Sequence, residues 1–133
     1  SFDQAGVLHV ADTARGAVWR VVIDAQGRAQ RPTLWVQNTA LEGADGMAFD
    51  ARGQLWVTAN ETNALVRISP AGEPTTVARN GAAGPLEFPA ARVFVGDAGS
   101  VANFDTPRRD NLDAGSSTTA RAGIGASIAR IAH

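Results

Sequence analysis

The sequence predicts an all-β fold, a partial β-propeller of about two and a half to three four-stranded antiparallel blades. Three observations predict it. The chain repeats itself: Phe2-Asp3 returns as Phe49-Asp50, Gly6 as Gly53, Leu8 as Leu55, Val10 as Val57 and Arg20 as Arg67, each pair 47 residues apart. A fixed period of this order belongs to solenoids, propellers and arrays. Within the unit, GQLWVTA and NALVRIS are short runs of Val, Leu, Ile and Trp broken by Gly, Asn, Thr or Pro, as strands closed by turns are. No window sustains a helical period, and four short strands per repeat make a propeller blade.

Residues 1–133 read as one partial propeller domain. Blade one, residues 1–40, starts late: by the repeat, Phe2-Asp3 is the tail of an inner strand whose beginning is absent. Val7–Asp12 follows as the second strand and Ala17–Ile23 as the third, with Asp24–Gly27 as its turn. Thr33–Gln37 is the outer strand, and Pro32 precedes it where a missing N–H does least harm. Blade two, residues 44–79, is complete, with strands near Met47–Asp50, Gln54–Ala59, Ala64–Ser69 and Thr75–Ala78 and turns at Asp50–Gly53 and Pro70–Gly72. Asn80–Pro85 is loop by composition.

Blade three, residues 85–133, is irregular. Arg92–Gly96 is its inner strand, Gly99–Asn103 its second and Ser127–Ile131 its third, with no fourth. Gly99-Ser100 stands where Leu55-Trp56 stood, which predicts a weak strand. Val101 lies 44 residues after Val57, and Arg130 lies 63 after Arg67, so an insertion of 19 residues falls within the loop 104–126. Its polar composition is that of a loop.

Bulk properties exclude some classes of function. A net charge of −1 gives no electrostatic footprint for nucleic acid or an anionic membrane. No apolar run approaches the roughly 18 residues of a membrane helix, and no targeting segment is visible. Without cysteine there is no disulfide and no thiolate chemistry. His9 occupies the slot of Trp56 and His133 is terminal, so the two histidines make no metal signature. GASIA at 125–129 imitates a nucleophile elbow, but that turn needs a following helix and this stretch aligns with a strand.

Asp45 is the acidic side chain of interest. It opens the inner strand of the complete blade, although an Asp before Gly is by default a turn residue. Because strands in a blade run antiparallel, the loops at Thr13–Gly16, Asn60–Asn63 and 104–126 share its rim. Asp12, Thr13, Asn60, Asn103 and Asp105 therefore become candidates for a pocket wall or lid, each equally readable as a solvated strand end. Trp19, Trp35 and Trp56 read as packing between blades. The recurrence of Arg20, Arg67 and Arg130 at one blade position favours a structural role.

The stretches GADGMAFDARGQLWVT and PLEFPAARVFVGD resemble the gluconolactonase/regucalcin (senescence-marker protein) family of six-bladed propellers, and the resemblance runs from Phe2 to the C-terminus. It implies a metal-dependent lactone hydrolase in which the residue matching Asp45 binds a divalent cation (Ca, Zn, Mg or Mn) and moves the proton. The family's other ligands, a Glu near the N-terminus and an Asn opening the preceding blade, have no counterpart here. The resemblance thus covers a C-terminal half, whose expected substrate is a small lactone and whose activity alone is expected to be little or none. The alternative is a non-catalytic NHL-like propeller serving as a binding or scaffold module. Either way, the end blades are expected to expose apolar faces that promote self-association or pairing with a missing N-terminal half.

Overall fold

The computed structural model describes residues 1–79, 86–95, 98–104 and 126–132. Those residues form three antiparallel sheets in chain order. The first holds β1 (Leu8–Asp12), β2 (Ala17–Val21) and β3 (Thr33–Gln37). The second holds β4 (Ala44–Phe49), β5 (Leu55–Ala59), β6 (Ala64–Ile68) and β7 (Pro74–Arg79). The third holds β8 (Pro89–Val95), β9 (Ala98–Asn103) and β10 (Ser127–Ala132). The chain is all-β, as a partial propeller should be. Thr13–Arg15 and Thr39–Leu41 are single 3₁₀ turns, and among the described residues no helix is long and apolar enough to cross a membrane.

One turn chemistry closes four strand connections. Asp3, Asp24 and Asp50 each receive, on one carboxylate oxygen, the backbone N–H groups two and four residues ahead at 2.9 Å. Gly6, Gly27 and Gly53, three residues after each Asp, take positive φ and donate back to the Asp carbonyl at 2.9–3.1 Å. Ser69 and Gly72 repeat the arrangement with a hydroxyl in place of the carboxylate. An Asp or Ser that satisfies its own turn, followed by a glycine free to adopt the left-handed conformation, is how such a connection stays tight.

The sheets pack face to face. Val18 and Val36 of the first sheet meet Leu55, Val57, Ala59, Val66 and Ile68 of the second in one buried cluster. Trp56 and Leu65, on the second sheet's other face, meet Val101 of the third and Leu86, which precedes it. Trp35 and Trp56 pack between sheets as expected. Trp19 does not: with Val10, Val21, Arg31 and Pro32 it lines an open face of the first sheet, and its indole donates to Asp12 at 3.2 Å. Arg20 lies over the Trp35 ring at 4.0 Å and Arg67 over Trp56 at 5.8 Å, so each of these recurrent arginines lies over a tryptophan, although the two tryptophans occupy different blade positions.

β9, expected to be weak, does form as a strand. It pairs along its whole length with β8 and β10. Gly99 is there to make room: a Cβ at that position would run into the Arg92 guanidinium, with Nε at 2.8 Å.

The repeat shows what the open faces lack. Val10 and Val57 are equivalent, yet Val10 is 42% exposed whereas Val57, covered by the neighbouring sheet, is 0% exposed. At the other end Val93 and Ile128 are exposed. Sedimentation at micromolar concentration is therefore expected to show association of the purified chain, and a well-dispersed monomer with cooperative unfolding would contradict that expectation.

His9 sits between the first two sheets, edge-on to Trp35 and Phe49. Its Nε2 accepts from Arg20 at 3.0 Å, and its Nδ1 faces the Val7 carbonyl at 3.1 Å. That pattern fixes the neutral ring with its proton on Nδ1. Burial is the main reason its pKa lies below the ordinary value, and the Arg20 charge adds to it. As pH falls below about 6.5, the unfolded chain takes up a proton that the folded chain refuses, so stability falls. A lower melting temperature at pH 5.5 than at pH 7.5 is expected. His9→Gln should flatten that slope, and an unchanged slope would remove His9 as its cause.

Candidate functional site

The site is built from the backbone outward. Gly43, just before β4, adopts φ 79°. It donates to the Thr13 carbonyl at 3.2 Å and accepts from Asn60 N at 2.9 Å, while the Thr13 hydroxyl donates to the Ala44 carbonyl at 2.8 Å. The start of β4 is thus tied to a loop of the preceding sheet and to a loop of its own sheet. No side chain fits at Gly43, because a Cβ would run into the Glu61 amide and lie 2.5 Å from Asn60 Oδ1. These ties deliver Asp45 to the rim with its side chain exposed. The Asn60 Nδ2 donates to Asp45 Oδ2 at 3.4 Å.

Gly46, next in the chain, is a packing residue. Its Cβ position is taken by the Ala90 carbonyl and by Ala91 Cα, 2.6 Å away, so the inner strands of the second and third sheets touch through backbone there. The Asp-Gly-Met stretch therefore combines an exposed carboxylate with a close contact between sheets.

The predicted residues separate into two groups. Asp45, Asn60 and Thr13 come together around the start of β4. Asp12 is engaged elsewhere: it caps the Thr13–Arg15 turn and accepts from Arg15 N at 3.3 Å, Arg15 Nη1 at 3.2 Å and Trp19 Nε1 at 3.2 Å. Partial desolvation works to raise its pKa, but those hydrogen bonds, led by Trp19, hold it below the ordinary value. Asn103 is buried within the third sheet, where its Oδ1 accepts from Glu87 N at 3.2 Å and its Nδ2 donates to Ser127 at 3.1 Å. Asp105 and nearly all of the predicted insertion lie outside the described residues.

At the start of β4 the exposed carboxylate of Asp45 is faced by the Asn60 amide N–H, and the Thr13 hydroxyl is engaged with the Ala44 carbonyl. A hard divalent cation asks for six or more oxygen donors from protein and water. Among the described residues no three His, Cys, Asp or Glu gather in one place. Of the donors such a cation needs, the described residues supply one carboxylate at this place.

Two charged residues are buried, which the sequence reading did not anticipate. Asp50, 7% exposed, also accepts from Gln54 Nε2 at 3.0 Å and Trp56 Nε1 at 2.9 Å. Burial works to raise its pKa, and the donors, led by Trp56, outweigh it. Arg92, 6% exposed, lies 4.1 Å over Trp56 and 4.6 Å over Phe94, and none of its guanidinium nitrogens has a hydrogen-bond partner among the described residues. Burial lowers its pKa to about 10. Asp50 was legible as a turn residue by its Gly three positions on. Nothing local to Arg92 announces a buried guanidinium.

Comparison with known proteins agrees with this architecture. A family model described as SMP-30/gluconolactonase/LRE-like region matches residues 2–101. No curated protein matches the chain.

Proposed function

Because this chain belongs to the SMP-30/gluconolactonase/LRE-like family, a family of gluconolactonase-like propellers, we propose that it carries the acid–base carboxylate of a metal-dependent lactone hydrolase. The observation that supports this reading is Asp45 itself. It is exposed at the mouth of an inner strand, on a backbone fixed from two sides, with a carboxamide directed at its oxygen.

Asp45 would hold a divalent cation, together with ligands beyond those the described residues supply. When bound, such a cation polarises a lactone carbonyl and acidifies water. Asp45 takes a proton from the water that attacks the carbonyl carbon. The ring C–O bond then breaks, and the proton passes to the departing ring oxygen, leaving a hydroxy acid. The rigid start of β4 keeps the carboxylate at one place throughout.

The test is hydrolysis of an aldonolactone with and without a chelator. Purified residues 1–133 should stay near the uncatalysed rate. Any longer polypeptide that contains them and supplies further ligands should be cation-dependent, and Asp45→Asn should lower its turnover by roughly 10²–10⁴-fold. Robust cation-dependent turnover by residues 1–133 alone would overturn the argument from missing ligands. Turnover indifferent to Asp45→Asn would remove its role, and no turnover at all in the longer product would favour the non-catalytic NHL-like module.

A further inference from the structure

Each sheet has two unlike faces, and the repeat identifies them row by row. Val10–Trp19 in the first sheet, Val57–Val66 in the second and Val101–Ala129 in the third are equivalent cross-strand pairs. They belong to a receiving face. Ala11–Val18, Thr58–Leu65 and Ala102–Ile128 are the neighbouring pairs, so they belong to the opposite, covering face. Inside the chain the two kinds meet twice. Ala11 and Val18 pack on Val57 and Val66, and Leu65 packs with Val101 and Ala129. One face of each kind is left over. On the receiving side, Val10, Trp19, Val21 and Pro32 line an open apolar hollow. Phe2 is exposed beside it, whereas Phe49, its equivalent, packs against the cluster between the first two sheets. On the covering side Ile128 is 77% exposed, whereas its equivalents Val18 and Leu65 are 0% exposed.

We propose that these two faces dock on each other between copies of this chain: the Ala102–Ile128 face of one copy covers the Val10–Trp19 face of the next, head to tail. The occupant is specified by the chain itself. It uses its covering surface twice on its own receiving surface, and it presents a third example of each with nothing against it. The contact between copies continues the stacking already present between the three sheets, with Ile128 in the place of Val18 and Val10 in the place of Val57. Apolar surface removed from water on both sides drives it. The polarity follows from the two kinds of face. A like-with-like contact would set two receiving or two covering faces together, a pairing that occurs nowhere between the three sheets. A head-to-tail contact leaves one face of each kind free on every pair of copies, so association continues until the rotation closes a ring or an open stack grows. The inference is independent of any role for Asp45.

The test is a mixing experiment by sedimentation velocity at micromolar concentration, with the parent, Val10→Asp and Ile128→Asp. Both positions are exposed in the single chain, so the charge spoils docking, where it would be buried unpaired, and leaves the fold. The parent should sediment as an assembly. Each variant alone should lose association, because one of its two faces is blocked. An equimolar mixture should regain it and stop at twice the chain mass: the intact Ile128 face of the Val10→Asp copy meets the intact Val10 face of the Ile128→Asp copy. A second measurement needs no added charge. The sequence has no cysteine, so Val10→Cys and Ile128→Cys copies, mixed and oxidised, should give the mixed disulfide in excess over either like pair. Association of one variant alone, with nothing gained on mixing, would overturn the polarity in favour of a like-with-like contact. Both variants assembling as the parent does would place the contact elsewhere. A parent that sediments as a single copy would overturn the proposal and leave both faces to a different partner.

Discussion

Trp56→Ala is expected to destabilise the chain by about 3–5 kcal/mol and to lower its melting temperature by roughly 10–20 °C. Trp56 is 1% exposed and belongs to the cluster joining the second and third sheets. Truncation opens a cavity the size of an indole, and three further losses accompany it. Asp50 loses the Nε1 donor at 2.9 Å, Phe94 loses its edge-to-face partner at 5.9 Å, and Arg92 loses the ring beneath its guanidinium. Among the described residues Arg92 makes no side-chain hydrogen bond, so the aromatic faces, with the Asp50 charge, are what offset its burial. Trp56→Phe separates the contributions, keeping most of the apolar contact and dropping the donor, for an expected cost of about 1–3 kcal/mol. Chemical denaturation measures both. A Trp56→Ala variant within 1 kcal/mol of the parent would mean that this cluster does not hold the third sheet to the second.

Gly46→Ala is the other substitution expected to do large damage, about 1–3 kcal/mol or more. The added methyl would press against the Ala90 carbonyl and Ala91 Cα. Backbone bounds it, so no side chain can rotate aside. Gly53→Ala is the control: φ is 74° there, but nothing lies within 4 Å of the added carbon. Its cost is conformational, about 1 kcal/mol. Equilibrium denaturation of the two should therefore rank Gly46→Ala well above Gly53→Ala, and the reverse order would contradict the close approach of the two inner strands.

The strands were legible in the sequence because repetition supplied the alignment. Val10 and Val57, or Arg20 and Arg67, identify equivalent strand positions without reference to propensity, and the turns announce themselves by Asp with Gly three residues on. What Gly99 packs against was not legible, for a physical reason. A glycine in a strand signals weakness when judged alone, and here it is the space that a distant arginine fills. The candidate site was half legible. Asp45 stood out by its motif, and antiparallel pairing placed Thr13 and Asn60 on its rim. Which of the rim residues would touch it depended on side-chain hydrogen bonds that the pattern does not encode. Asp12 turned to Trp19 and Arg15, and Asn103 to Glu87 and Ser127.

The four turns closed by Asp or Ser with Gly also bear on how the chain folds. Each links partners only four residues apart, as from Asp50 N to Gln54 O at 3.0 Å, so the loop-closure entropy of these connections is close to its minimum. Local contacts of this kind lower the contact order of a class of fold that is otherwise slow to form. Hairpins closed this way form in microseconds, and their register is set by the turn before any neighbouring sheet arrives. What remains for the later, slower stage is the docking of preformed faces: Val36 against the second sheet, and Trp56 against the third.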